Sequence, residues 1–172
     1  MGQHVKKSEA NGGLMRVAPL ACWLATHPQE DRNTAITTEC ALTHVNRICI
    51  DANLLYVHTI IDILTHPEQS ARELYGNACV RAIQMGLSDS IPERLNLAET
   101  AEPDYEHNIG WVLIALQATY YHLLNTPDFE EALVRVVSAG GRHGHQWRHL
   151  RRPIRRLLRP SGHSRPLDYR HP

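Results

Sequence analysis

The boundary at Gly140-Gly141 constrains the fold of this chain more than any other feature. Residues 1–141 carry nine Lys and Arg against seventeen Asp and Glu, a net charge of −8. Residues 142–172 carry nine arginines, five histidines and a single acid, Asp168, a net charge of +8. The overall net charge of zero conceals that division. Folded domains rarely split their charge at one residue, and such asymmetry marks a tail with a separate role. The fold is therefore sought in the first 141 residues, enough for one domain with a sizeable core.

Within that segment apolar residues recur at helical spacing. Ile48, Ala52, Leu55, Tyr56, Thr59, Ile60 and Ile63 lie on one stripe, and Ile109, Val112, Leu113, Leu116, Tyr120 and Leu123 on another. Thr126-Pro127-Asp128 reads as a helix start, with Thr126 as cap, Pro127 at the first helical position, and Asp128, Glu130 and Glu131 against the positive dipole end. His66-Pro67 reads as another start, with Glu68 in the first turn. Residues 88–107, with Pro92, Pro103 and several acids, read mainly as a connection. Met15 and Met85 read as core. No stretch shows strand alternation. The expected fold is all-α, an orthogonal multi-helix bundle of five or six helices.

No apolar run approaches a membrane span in this reading, and no signal-peptide core follows Met1. Cys22, Cys40, Cys49 and Cys79 form no C-x-x-C pair. A reduced, cytoplasmic protein without a membrane partner is expected.

Asn11-Gly12-Gly13-Leu14-Met15-Arg16-Val17-Ala18-Pro19 is the first specific motif. Two glycines allow backbone conformations closed to other residues and let a ligand approach the main chain. Amides at a helix start suit phosphate. Leu42-Thr43-His44 follows one helix later. Gly110-Trp111-Val112 opens a helix, and Phe129-Glu130-Glu131-Ala132-Leu133 leads into Val136-Val137-Ser138-Ala139-Gly140-Gly141. This order resembles the C-terminal half of the ADP-ribosylglycohydrolase family, which includes dinitrogenase-reductase-activating glycohydrolases and J1 crystallins. The resemblance covers residues 11–141. Residues 1–10 are an unmatched leader, and Ala10 stands where the family often has glycine.

The family continues from Gly-Gly with D-T-D-T-N-G-A-I. Here Arg142, His143, Gly144 and His145 stand at the D-T-D-T positions, followed by Gln146, Trp147, Arg148 and His149. Shifted by one base, codons for Arg142 to His149 permit D-T-D-T-N-G-A-I. Those of Leu150 to Arg152 permit C-G-A, and those of His163 to Leu167 permit I-P-x-x-W. Residues 142–172 are read as a frameshifted, poorly ordered basic tail, although Leu150, Ile154, Leu157 and Leu158 form a short apolar stripe.

The resemblance implies an Mg-dependent hydrolase that cleaves the bond between ADP-ribose and an acceptor through an oxocarbenium-like transition state. Its two magnesium ions take oxygen ligands from an acidic cluster in the N-terminal half and from D-T-D-T. Both sets are missing here, so the chain is expected to be an inactive fragment with no intact catalytic residue and no metal. The alternative is a noncatalytic ADP-ribose binder or crystallin-like structural protein. The resemblance assigns substrate contact to Asn11, Gly12, Gly13, Met15, Arg16 and His44, with His44 equally readable as a capping or core histidine. Expected partners are ADP-ribose or an ADP-ribosylated substrate and a separately encoded N-terminal half. The basic tail adds nonspecific nucleic-acid affinity at most. His143, His145 and His149 also have the look of a zinc set, but lack a visible second shell.

Overall fold

The computed structural model describes residues 7–108 and 110–139. Outside the described residues lie Ile109, residues 1–6 of the leader, and everything expected of residues 142–172. The latter includes Arg142, His143, Gly144 and His145, the zinc-like histidines, and the Leu150–Leu158 stripe. The described residues form eight helices: α1 (Gly12–Arg16), α2 (Ala18–Leu24), α3 (Gln29–Ala41), α4 (Arg47–Thr65), α5 (Ala71–Gln84), α6 (Ser90–Thr100), α7 (Val112–Asn125) and α8 (Phe129–Ala139). The expected all-α class holds. Its helix number was short because of brief α1 and of α6.

Helix α4 organises the rest. The Asn46 side chain caps it, accepting from Ile48 N at 2.8 Å. It packs against α1, α2, α3, α5, α6 and α7. The expected single stripe is therefore too narrow: Cys49, Asp51 to Leu55, Val57 to Thr59 and Ile61 are all buried, whereas Ile63 is exposed. Around α4 the interior is filled by Val17, Leu24, Ile36, Ile91, Leu95, Leu116 and Tyr120. With 19 residues and mean hydropathy 1.4, α4 does reach the length and apolarity of a membrane span, contrary to the sequence reading. Of that stretch 56 % is buried among neighbouring helices, while Ile63 and Leu64 near its end stay exposed.

Three buried polar groups on α4 meet specific partners, although Asp51 Oδ1 makes no hydrogen bond among the described residues. Asp51 Oδ2 accepts from Ser88 N at 2.9 Å and Ser88 Oγ at 2.6 Å. Arg47 Nε approaches Asp51 Oδ1 at 2.7 Å and so pairs the carboxylate within one helix turn. The Asp51 carboxylate thus ties α4 to the turn before α6. His58 Nε2 lies 2.7 Å from Asn33 Oδ1 on α3. Thr59 Oγ1 and Tyr120 OH meet at 2.7 Å between α4 and α7.

Helix starts differ from the expected ones for local reasons. Residues 88–107 are not mainly a connection, because α6 occupies 90–100. Pro92 falls in its first turn, where the missing N–H leaves no helical bond unmade. Ile91, Leu95 and Ala98 supply its buried face. Helix α5 begins at Ala71 rather than at His66-Pro67, because Ser70 and Glu73 form a capping box. At the α8 start Asp128 is the cap, accepting from Glu131 N at 2.8 Å. Thr126 Oγ1 instead meets His122 Nδ1 at 2.8 Å. Helix α8 buries none of its residues and leaves Phe129, Leu133, Val136 and Val137 exposed.

Three stability measurements follow. Asp51→Ala leaves Ser88 N–H without its acceptor and lowers unfolding free energy by about 2–4 kcal/mol in urea. Breaking the exposed Arg135–Glu131 pair with Arg135→Ala costs no more than about 0.5 kcal/mol. The third concerns pH. Burial, with Arg81 and Arg32 adding repulsion against the opposing pull of Asp62, holds His58 down to about 4 from 6.5. Between those values the unfolded chain takes up a proton that the folded chain refuses, so His58 makes stability fall as pH drops from 6.5 towards 4. Thermal unfolding of His58→Gln should show a shallower loss across that window than wild type.

Candidate functional site

The Asn11–Arg16 motif is held at the surface by residues from the far end of the domain. Asn11 N donates to Gly110 O at 2.8 Å and Val112 N to Glu9 O at 2.8 Å. Ala10 and Trp111 form an antiparallel bridge between them. Trp111 Nε1 donates to Glu9 Oε2 at 2.6 Å across a sequence separation of 102 residues. The Arg94 guanidinium lies over the Trp111 ring at 4.6 Å, a cation–π stack that fixes the indole. Asn108 adopts φ 54°, the left-handed turn that brings Gly110 and Trp111 back towards residue 10. An open depression lined by Glu9, Ala10, Asn108, Gly110 and Trp111 adjoins the motif.

The two glycines are required by the protein's own interior. A Cβ at Gly12 would lie 3.0 Å from His44 Cε1 and 3.1 Å from Nε2. One at Gly13 would lie 2.9 Å from Asn53 Nδ2, inside any normal contact. The space that the sequence reading reserved for a ligand at these Cβ positions is thus filled by the His44 ring and the Asn53 amide.

His44 follows α3, with its amide donating to Cys40 O at 2.8 Å. Its Nδ1 lies 2.7 Å from Thr43 Oγ1. Partial burial pushes the imidazole pKa down, Arg16 adds repulsion, and Glu39 opposes both. The ring is therefore mainly neutral at pH 7, able to donate or accept one further hydrogen bond. Arg16 is clamped to α3, its Nε 2.6 Å from Glu39 Oε1 and its Nη2 donating to Glu39 O at 3.1 Å. Met15 is 78 % exposed and is not core, whereas Met85 packs against the core.

Of the six residues assigned to substrate contact, Gly12 and His44 touch, Arg16 lies within reach of the His44 ring electrostatically, and Asn11, Gly13 and Met15 share their helix or its cap. Sequence reading assigned no role to Glu9, Glu39, Asn53, Arg94 or Trp111. Only Trp111 carried a signal, as part of Gly110-Trp111-Val112.

The described residues do not fit a magnesium pair. No three His, Cys, Asp or Glu side chains among them converge to hold a metal. The carboxylates nearest the motif, Glu39 and Glu9, are engaged by Arg16 and Trp111. Such an ion wants several converging oxygens, so no chemical step is assigned to it here.

The electrostatics of His44 can be checked directly. Arg16→Gln removes a cation that depresses the imidazole and frees Glu39, which raises it, so the His44 pKa moves upward in an NMR titration.

Residues 1–144 match the family model for ADP-ribosylglycohydrolases, a match that takes in residues 1–10 and ends just past Gly141. No curated protein and no solved structure matches the chain. The match spans most of its 172 residues, so the chain belongs to the ADP-ribosylglycohydrolase family.

Proposed function

We propose that this chain recognises ADP-ribose at the surface built by Asn11, Gly12, Gly13, Arg16 and His44, and does not itself hydrolyse an ADP-ribosyl bond. The observation that carries the reading is the seating of Gly12 against His44. Two motifs far apart in sequence, each associated with substrate by resemblance, meet at one place. The chemistry suits the ligand. ADP-ribose joins two polyhydroxyl sugars through a diphosphate. Asn11 and a neutral His44 offer hydrogen bonds to hydroxyl and phosphate oxygens, and Arg16 supplies positive charge beside them.

The absence of turnover follows from the residues after Gly141. Hydrolysis in the family draws on carboxylate and hydroxyl ligands from D-T-D-T, and Arg142, His143, Gly144 and His145 stand there instead. Cations repel Mg²⁺ at short range. We attribute this to a change of reading frame, on the ground that the shifted codons permit the family's D-T-D-T-N-G-A-I. Resequencing the gene across the codons for Ala139 to Arg142 tests that part separately.

Calorimetry with ADP-ribose should give a dissociation constant weaker than about 1 μM, because a site without metal ions lacks preorganised charge. Asn11→Ala and His44→Ala should each weaken it by about three- to tenfold, the value of one hydrogen bond. No ADP-ribose should be released from an ADP-ribosylated protein, with or without Mg²⁺. Metal-dependent release above an unrelated-protein control would refute the catalytic half of the proposal. Absence of binding at millimolar ADP-ribose would refute the recognition half and favour the crystallin-like structural reading.

A further inference from the structure

Beneath the Asn11–Gly13 turn lies a buried polar cluster that the ligand-contact reading does not use. Cys40, Cys49 and Asn53 are all fully buried. They reach both segments of the site. The Cys49 thiol donates towards Ser8 O at 3.6 Å and Ala10 O at 3.5 Å, directly before Asn11. The Cys40 thiol donates towards His44 O at 3.4 Å. Asn53 joins the two, with Nδ2 donating to Cys49 O at 2.8 Å and to Cys40 Sγ at 3.4 Å. The same Nδ2 is the atom that a Gly13 Cβ would strike at 2.9 Å. Asn53 Oδ1 is buried and makes no hydrogen bond among the described residues.

We propose that Asn53 is a positioning residue for ADP-ribose recognition, which with the Cys40 and Cys49 thiols locks the Asn11–Gly13 turn and His44 into one fixed relation without touching the ligand. This rests on the recognition reading above and extends it to three residues in the interior. The physical argument has three parts. A polar side chain this deeply buried is costly unless its bonds are made, and the unmet Oδ1 adds to that cost. An apolar residue of similar size would fill the space on α4 without the expense. The amide meets the Cys49 carbonyl, the Cys40 thiol and the Cβ position of Gly13 together. Burial pushes both thiols up to about 11, so they keep their protons and act as donors at neutral pH.

The glycine at position 13 is then a response to Asn53, and the two substitutions must be coupled. Gly13→Ala should weaken ADP-ribose binding by about tenfold in the wild-type background and by no more than about twofold in Asn53→Ala, where the added methyl has room. Cys49→Ala should weaken binding, while Cys49→Ser, which retains a donor, should restore most of it. A second readout needs no ligand. In NMR spectra of the free chain, Gly13→Ala and Asn53→Ala should each shift the His44 ring resonances and its titration midpoint, and the double variant should return them towards wild type. Equal losses from Gly13→Ala in both backgrounds, or lowered thermal stability with His44 titration unchanged, would overturn the proposal. If wild type does not bind ADP-ribose, the recognition reading fails, and the His44 resonances alone decide whether Asn53 positions the turn.

Discussion

Everything at the candidate site depends on one close approach, that of the Gly12–Gly13 backbone to the interior. Two side chains occupy the space where Cβ atoms would stand, His44 from the segment after α3 and Asn53 from α4. Any larger residue would lift the turn from its seat. Ala10, just before the turn, forms the isolated bridge to Trp111, so displacement would propagate to Glu9, Asn108 and the adjoining depression. Glycine is usually explained by the backbone conformations it permits. Here neither Gly12 nor Gly13 needs a left-handed conformation, and the requirement is steric.

That seat is only as rigid as α4, which is enclosed on most sides. A helix surrounded by six others carries Asp51, Asn53 and His58 into the interior, where Asp51 bonds Ser88 before α6, His58 meets Asn33 on α3, and Asn53 bonds Cys49 O of its own helix and Cys40 Sγ of α3. Such contacts add little net stability compared with apolar packing, but they specify which helices meet and in what register. Asp51 specifies the approach to α6 and His58 that to α3, while Asn53 stands where a Cβ at Gly13 of α1 would be. The last of these is where structure turns into function.

Sequence revealed the elements that depend on local pattern and missed those that depend on distant partners. Helices α4 and α7 were legible from their apolar spacing, and the class of the fold followed. Helix α6 was obscured because Pro92 and a run of acids resemble a connection, although Ile91, Leu95 and Ala98 already mark a buried face. Asp128 was hidden as a cap because Thr126 is an equally good candidate until His122 claims it. At the site, Asn11 to Arg16 and His44 were visible as motifs. Their supports were not. Nothing near Glu9 announces Trp111, nothing near Arg16 announces Glu39, and Asn53 reads as one polar residue in an apolar helix. Met15 reads as core from its spacing but is exposed, whereas Leu14 beside it is buried.

The central claim is that the Asn11–Gly13 turn and His44 together receive ADP-ribose. It is tested most directly by titrating ADP-ribose into isotopically labelled chain and following backbone amides by NMR. The account predicts saturable shifts that begin at Asn11, Gly12, Gly13, Arg16 and His44, with α5 unaffected. Shifts confined to residues 142–172 would mean only that arginines attract a diphosphate, and would contradict it, as would no shift at the turn at millimolar ligand.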